Sequence, residues 1–244
     1  MSNCLIIAAG MGSRMQSETP KPLLEVHGIS LIEHVIRINK FAGVENFYVV
    51  TGYRGEEIRA HLDGRRADLG INIEHVINHD YQRGNGLSVT AAKQRLREPF
   101  ILTMSDHLYE PSVVSDLLRC KDSTARLILA VDSNTDNPEI DLDDVTRVYQ
   151  KDGAIQQIGK GLFEFNCFDT GVFYCHPELF NAIEESVAAA GDESLSGGVR
   201  MLARSGDARI MDIGNRFWCD VDKQSELRQA HEFFAKRTGQ FSSR

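Results

Sequence analysis

Residues 5–24 read LIIAAGMGSRMQSETPKPLL. Leu5 through Ala9 form an apolar run long enough for one buried strand. Gly10 and Gly12 interrupt it, and glycine tolerates positive φ and close approach by a ligand or another backbone. Ser13 then offers a hydroxyl, and Arg14 and Lys21 offer positive charge. A strand, a Gly-rich turn and cations together can cradle a polyphosphate, because backbone N–H groups point inward while side chains neutralise charge. Residues Ala8, Ala9, Gly10, Met11, Gly12 and Ser13 are therefore candidates for nucleotide contact. The competing reading is an ordinary Gly turn with solvated charges, and Gly-x-Gly alone does not beat it. The stretch lacks the third Gly of a dinucleotide fingerprint and the Gly-Lys-Ser/Thr of a P-loop.

The residues that follow extend the strand into an α/β pattern. Leu31, Val35, Ile38 and Ala42 recur at helical spacing, with Ser30 as N-cap and Gly43 as stop. Phe47–Thr51 is a continuous β-rich run, a short helix is expected near 56–62, and residues 71–77 read as a third strand. The order β-α-β-α-β predicts a parallel sheet. Residues 78–86 (NHDYQRGNG) form a loop before a helix expected from Leu87 to about Leu96. Gly84, Asn85 and Gly86 at that helix start are a second candidate ligand contact. Phe100–Met104 is a buried strand ending in Ser105, Asp106 and His107. An acidic residue past a strand's carboxyl end sits where open α/β sheets bind ligands. Asp106 is too far from the helix after Pro111 to cap it, so a metal ligand is expected there. His107 receives no role.

Residues 127–131 give another strand, and the Asp-rich segment 133–144 reads as a solvated loop whose spacing matches no EF-hand. Lys151-Asp152-Gly153 signals a hairpin. Gly159-Lys160-Gly161 and the β-rich FEFNCFDTGVFYC follow, and this middle section reads as an antiparallel extension framing a second substrate. Helices are expected over Pro177 to about Ala190 and over 195–203, and a strand over 208–213. In FWCDVD, residues 217–222, Asp220 and Asp222 at i and i+2 would share one face of a strand. A closing helix over 225–236 buries Leu227, Ala230 and Phe234, and the polar tail from 239 is expected to fray. The expected organisation is one domain over 1–244 with a lobe inserted at about 145–175.

Composition narrows the function. The 244 residues are 42% hydrophobic and 25% charged, as in globular domains that need no disulfide staples. A net charge of −8 argues against nucleic-acid or anionic-membrane binding. Any phosphate site must be a local cationic pocket. Cys4, Cys120, Cys167, Cys175 and Cys219 are widely spaced and make no CxxC pair. No apolar run approaches the ~20 residues of a membrane span, and no signal peptide is apparent, so a cytoplasmic location is expected. Arg14 and Lys21 would serve phosphates, and Lys160 adds a further cation in a Gly-flanked turn. Asp106, Asp220 and Asp222 are hard oxygen ligands suited to Mg²⁺, which takes one or two carboxylates plus substrate phosphates and waters.

The string AAGMGSRM followed by Lys21-Pro22-Leu23 resembles the signature loop of the nucleotidyltransferase superfamily that couples nucleoside triphosphates to phosphorylated sugars and alcohols. The later pieces RGNGLSVTAAK, FILTMSDHLYEP, IGKGLFEFNCFDTGVF and FWCDVD, in that order, are similar to the cytidylyltransferases of inositol-1-phosphate, phosphocholine and phosphonates. The inositol-1-phosphate group is the first choice. The resemblance covers nearly the whole chain, with 133–144 least matched. It implies a Rossmann-like three-layer α/β/α sandwich with a mostly parallel sheet and a small antiparallel extension. It also implies transfer of CMP from CTP to a small phosphorylated alcohol, with release of pyrophosphate. Arg14 and Lys21 would contact the triphosphate, and residues 84–86 would read the base. Asp106, Asp220 and Asp222 would bind Mg²⁺, Lys160 would contact the acceptor phosphate, and Asp169, Thr170 and Gly171 would line the acceptor pocket. Ser105 departs from the Gly often found there and would sit beside the nucleotide and metal. A phosphocholine or phosphonate acceptor, a sugar-1-phosphate enzyme using another triphosphate, and a nucleotide-binding regulatory subunit stay open. So do a separate membrane phosphotransferase taking the product and a homodimeric state.

Overall fold

A computed structural model of the protein describes residues 2–236 apart from 16, 121–123 and 139. In chain order the elements are β1 (Asn3–Ala8), β2 (Glu25–Val26), β3 (Ile29–Ser30), α1 (Leu31–Phe41), β4 (Asn46–Thr51), α2 (Gly55–Leu69), β5 (Asn72–Ile77), α3 (Asn85–Thr90), β6 (Phe100–Met104), β7 (His107–Tyr109), α4 (Pro111–Arg119) and β8 (Leu127–Asp132). They continue as β9 (Arg147–Lys151), β10 (Ala154–Gly159), β11 (Cys167–Cys175), α5 (Glu178–Ala190), α6 (Leu195–Arg204), β12 (Ala208–Asp212), β13 (Trp218–Asp220) and α7 (Gln224–Ala235). Ser30 caps α1 by accepting from the Glu33 amide at 3.3 Å, and Gly43 follows its end at φ 101°.

Nine strands form the central sheet in the order β5-β4-β1-β6-β11-β8-β12-β10-β9. β5, β4, β1 and β6 are parallel, with Ala8 opposite Thr51 and Ile7 opposite Met104. Alternation along β1 sends Cys4, Ile6 and Ala8 to one face and Leu5 and Ile7 to the other, feeding two cores. Helices α1, α2, α4 and α7 cover the first face, and α3, α5 and α6 cover the second. The result is a three-layer α/β/α sandwich.

β11 is a central strand, antiparallel to both β6 and β8. Only β9 and β10 extend the sheet at its far edge, joined at Asp152 and Gly153, both with positive φ. Phe168, Val172, Phe173 and Cys175 of β11 are buried, as suits a strand covered on both faces. Helix α2 runs through Leu69, well past the expected stop at 62. Its second half returns one apolar residue to the core, Leu69 seven after Leu62, and carries the i,i+3 ion pairs Arg66–Asp63 and Arg65–Asp68 on its exposed face. Helix α3 stops at Thr90, short of Leu96, and continues as turns. The tail from 239 lies outside the described residues.

Candidate active site

The Gly-rich loop leaves the carboxyl end of β1 and returns as a single turn of 3-10 helix at Lys21–Leu23, with Pro20 at its N-cap and Pro22 within it. Gly12 has φ 59°, and a Cβ there would lie 2.8 Å from the Lys21 Cβ. A glycine is needed for the Lys21 stem to cross the loop. The Lys21 side chain is only 8% exposed, and its ammonium sits among three carboxylates. It pairs with Asp106 at 2.5 Å and with Asp222, and lies 3.6 Å from Asp220.

Two short elements bring those carboxylates together. Asp106 lies one residue beyond the end of β6 and immediately before β7, and β7 pairs antiparallel with β13, placing Asp220 opposite His107. The Val221 amide donates to the Asp106 carbonyl at 3.1 Å. Asp222 lies beyond β13, so strand alternation does not bring it beside Asp220 as expected. A turn does: the Asp222 amide donates to the Asp220 carbonyl at 3.1 Å, and the Glu226 carboxylate accepts from the amides of Asp222 and Lys223 at 2.6 Å.

Burial alone would lower the Lys21 pKa, but Asp106, Asp220 and Asp222 outweigh it and hold the amine well above its ordinary range. Burial would raise Asp220, yet His107, Lys21 and Arg14 hold it well below the usual carboxylate value. Burial and the nearby Asp220 push Asp222 up to about 6. His107, left without a role above, donates from Nδ1 to the Thr170 carbonyl at 2.8 Å, with Nε2 3.3 Å from Asp220. Burial disfavours its charged form, but Asp220 prevails and raises it to about 10. Its position directly after Asp106, on the far side of a strand end, was the available signal.

Asp144 is a second residue that sequence reasoning missed. The expected solvated loop instead folds back on the cleft. The Asp144 carboxylate pairs with Arg14 and, at 2.5 Å, with Lys160, while Asp141 pairs with Lys223. Arg14 also lies 3.0 Å from Asp222. Potential ligand atoms form two groups, Asp106–His107–Asp220 and Asp144–Asp220–Asp222, each within 4.8 Å. Asp220 Oδ1 is buried without a hydrogen-bond partner among the described residues. Several carboxylates with one oxygen unsatisfied fit a hard divalent cation.

Two cavities meet at this cluster. One, of about 370 Å³, is lined by Ala8, Gly10, Met11, Gly12, Ser105 and Asp106 among others. Ser105 is buried, with its amide donating to the Ile7 carbonyl at 3.0 Å. Ala9 is buried beside this cavity, its carbonyl accepting from the Tyr53 amide at 3.1 Å, and Ser13 opens a 3-10 turn. The second cavity, of about 230 Å³, is lined by Lys160, Asp169, Gly171 and Asp144, with Asn85 and Asp222 shared between the two.

Three expected contacts are corrected. Gly84 and Gly86 line neither cavity. A Cβ on either would collide with the Glu193 carbonyl, so these glycines serve packing against the α5–α6 connection. Thr170 is 1% exposed and its hydroxyl donates to the Ala130 carbonyl at 2.8 Å, which turns it away from the acceptor side. Its neighbours face the cavity. Asp169 accepts from the Gly171 amide at 2.7 Å, and burial raises its carboxyl to about 6. Gly171, at φ 75°, leaves room for the His107 ring.

The sequence matches the MobA-like NTP transferase domain over residues 4–208. It is 36% identical over 232 residues to the bifunctional IPC transferase and DIPP synthase of Rubrobacter xylanophilus, covering 93% of this chain and 50% of that protein. Over 242 residues it is 29% identical to the CMP-5'-(3-aminopropyl)phosphonate synthase of Streptomyces rubellomurinus, covering 93% of this chain and 38% of that one. The fold superposes on the structure of the inositol-1-phosphate CTP transferase from T. maritima with a TM-score of 0.86 at 26% identity, covering 98% of this chain and 97% of that one. The chain spans about half the length of the bifunctional relatives it matches.

Proposed function

The chain belongs to the MobA-like NTP transferase family, and on that footing we propose that it is a Mg²⁺-dependent cytidylyltransferase acting on a small phosphorylated alcohol. Inositol-1-phosphate is the first choice. An acceptor phosphate oxygen bonds to the α-phosphorus of CTP, the bond from that phosphorus to the β-phosphate oxygen breaks, and a CDP-alcohol and pyrophosphate result. The observation that carries this reading is the meeting of Lys21 with Asp106, Asp220 and Asp222 between two cavities.

In this reading Arg14 and Lys21 bind the triphosphate in the cavity floored by residues 8–12. Lys160 binds the acceptor phosphate. Asp106, Asp220 and Asp222 would hold Mg²⁺, which supplies neutralising charge on the phosphate oxygens. His107 fixes the Asp220 carboxylate. No general base is required, because a phosphate monoester has its second pKa near ~6 and is largely dianionic at neutral pH. The chain's task is alignment and charge neutralisation. The product needs a phosphotransferase that consumes it, whether on the same chain or a separate one. All five cysteines are free, which fits the reducing cytoplasm. Among the described residues, no helix is long and apolar enough to cross a membrane.

A quaternary ammonium acceptor would call for an aromatic cage. Phe173 and Trp218 border the acceptor-side cavity, but both are buried and the Trp218 indole N–H donates to Asp132 at 2.8 Å. Phe168 is buried, Phe165 lies under the Arg147 guanidinium at 4.9 Å, and Phe163 is fully exposed, so no ring of aromatic faces surrounds the cavity. This supports a hydroxyl-bearing acceptor over phosphocholine. An aminoalkyl phosphonate is the second reading, supported by Asp141, Asp144 and Glu226 around the acceptor-side cavity. Pyrophosphate release should be measured with CTP, UTP, GTP and dTTP against inositol-1-phosphate, phosphocholine and 2-aminoethylphosphonate. Sites that bind substrate hydroxyls can reject analogues lacking them by ~10⁴-fold. A preference for the phosphonate selects the second reading. Nucleotide binding without turnover on any pair would leave a regulatory subunit.

A further inference from the structure

The α5–α6 connection and the first turns of α6 touch two loops, one carrying Asn85 and the other Lys160. Toward the nucleotide side, the Glu193 carbonyl accepts from the Gly86 amide at 2.9 Å. Its carboxylate accepts from the Gly84 amide at 3.2 Å and pairs with Arg83. The Leu195 amide donates to the Asn85 side chain at 2.8 Å, and Asn85 borders both cavities. Toward the acceptor side, Asp192 pairs with Arg200 of α6. The same guanidinium donates to the Ile158 carbonyl at 2.6 Å, two residues before Lys160. Asp192 also accepts from the amide and hydroxyl of Ser194, at 3.0 and 2.7 Å, and that hydroxyl caps α6 through the Gly197 amide at 3.0 Å.

We infer that Arg200 is a positioning residue for Lys160, holding the backbone of the turn that carries it. The inference rests on the assignment of Lys160 to the acceptor phosphate. Lys160 stands between Gly159 and Gly161, the latter at φ 81°, in a turn that is adaptable by composition. Its side chain is 58% exposed and its ammonium pairs with Asp144, so packing does not set the backbone beneath it. Arg200 constrains that backbone through the Ile158 carbonyl. A planar guanidinium can hold one carbonyl and one carboxylate at fixed relative geometry, which a Lys cannot. Displacing a binding group by about 1 Å can cost on the order of 100-fold in rate, so such a constraint bears directly on turnover.

The test compares wild type, Arg200→Ala, Arg200→Lys, Lys160→Ala and the double variant. In Arg200→Ala, amides of 159–161 should exchange with deuterium roughly tenfold faster, while the rest of β10 keeps its protection. With CTP and inositol-1-phosphate, the acceptor KM should rise about tenfold and the CTP KM should stay within about twofold, with Arg200→Lys intermediate. Added to Lys160→Ala, the Arg200→Ala change should bring no further acceptor penalty, because the two act as one unit. Unchanged exchange at 159–161, fully additive penalties, or an equal rise of both KM values would overturn the inference. If Lys160→Ala leaves the acceptor KM unchanged, the acceptor role of Lys160 falls, and the exchange result alone decides whether Arg200 places the turn. Should Arg200→Ala fail to fold, Asp192→Asn carries the same expectations, because it keeps an oxygen for Ser194 while weakening the ion pair.

Discussion

The His107 imidazole faces the Asp220 carboxylate across 3.3 Å, while its other nitrogen donates to the Thr170 carbonyl. A ring that donates from both nitrogens is an imidazolium. Its pKa is raised from 6.5 to about 10, mainly by Asp220 acting against burial. A raised pKa contributes stability that is complete below the unfolded value and is lost as pH climbs through the folded one. In the presence of chelator, the urea midpoint of the protein should therefore decline between pH 6.5 and about 10. His107→Gln should flatten that decline. Parallel curves for the two proteins would show that the pair contributes nothing to stability.

Lys21 and Arg14 should differ in weight. Lys21 is 8% exposed and Arg14 is 50% exposed. Losing a preorganised, desolvated charge typically costs on the order of 10²–10³ in rate. Lys21→Ala should reach that range in kcat/KM for CTP, and Arg14→Ala should fall by less. Near-normal turnover in a folded Lys21→Ala protein would remove it from the triphosphate site.

Metal dependence offers a separate check. Chelator should abolish pyrophosphate release, and Mg²⁺ should restore it. Asp106→Asn should lose most activity and weaken Mg²⁺ binding in calorimetric titration with a non-hydrolysable CTP analogue, because an amide is a neutral, poorer ligand. Normal titration by this variant would leave Asp106 as a partner of Lys21 alone.

Gly86→Ala tests packing against ligand contact. The new Cβ would collide with the Glu193 carbonyl and sit 3.0 Å from Ile183. Overpacking of this kind costs about 1–3 kcal/mol. Thermal melting should shift downward with or without nucleotide. A loss of CTP affinity at unchanged melting temperature would restore the glycine to the nucleotide site.

Much of the fold was legible because β1, β4 and β6 are largely apolar, mostly buried runs and β5 alternates buried and exposed residues as an edge strand does, with recognisable helix caps such as Ser30 between them. The Gly-rich turn and its cations were legible for a similar reason, since their residue types are contiguous. The site's remaining parts depend on contacts between distant segments. Asp144 is one acid in an acidic loop, and only the return of that loop to Arg14 and Lys160 distinguishes it. Gly84 and Gly86 looked like ligand glycines because their sequence does not disclose a Glu193 carbonyl pressed against them. The pairing of β7 with β13 is too short to read from periodicity, yet it sets Asp220 against His107.

Asp144 holds Arg14 and Lys160 at once, one cation from the lining of each cavity. On the proposed assignments, substrate entry is an exchange, in which a phosphate displaces a carboxylate from a cation that was never bare. Because Asp144 stays in the cleft, the net positive charge an incoming phosphate meets is smaller than the number of basic groups. Nucleotide affinity should accordingly depend on ionic strength less steeply than the number of basic contacts alone would imply.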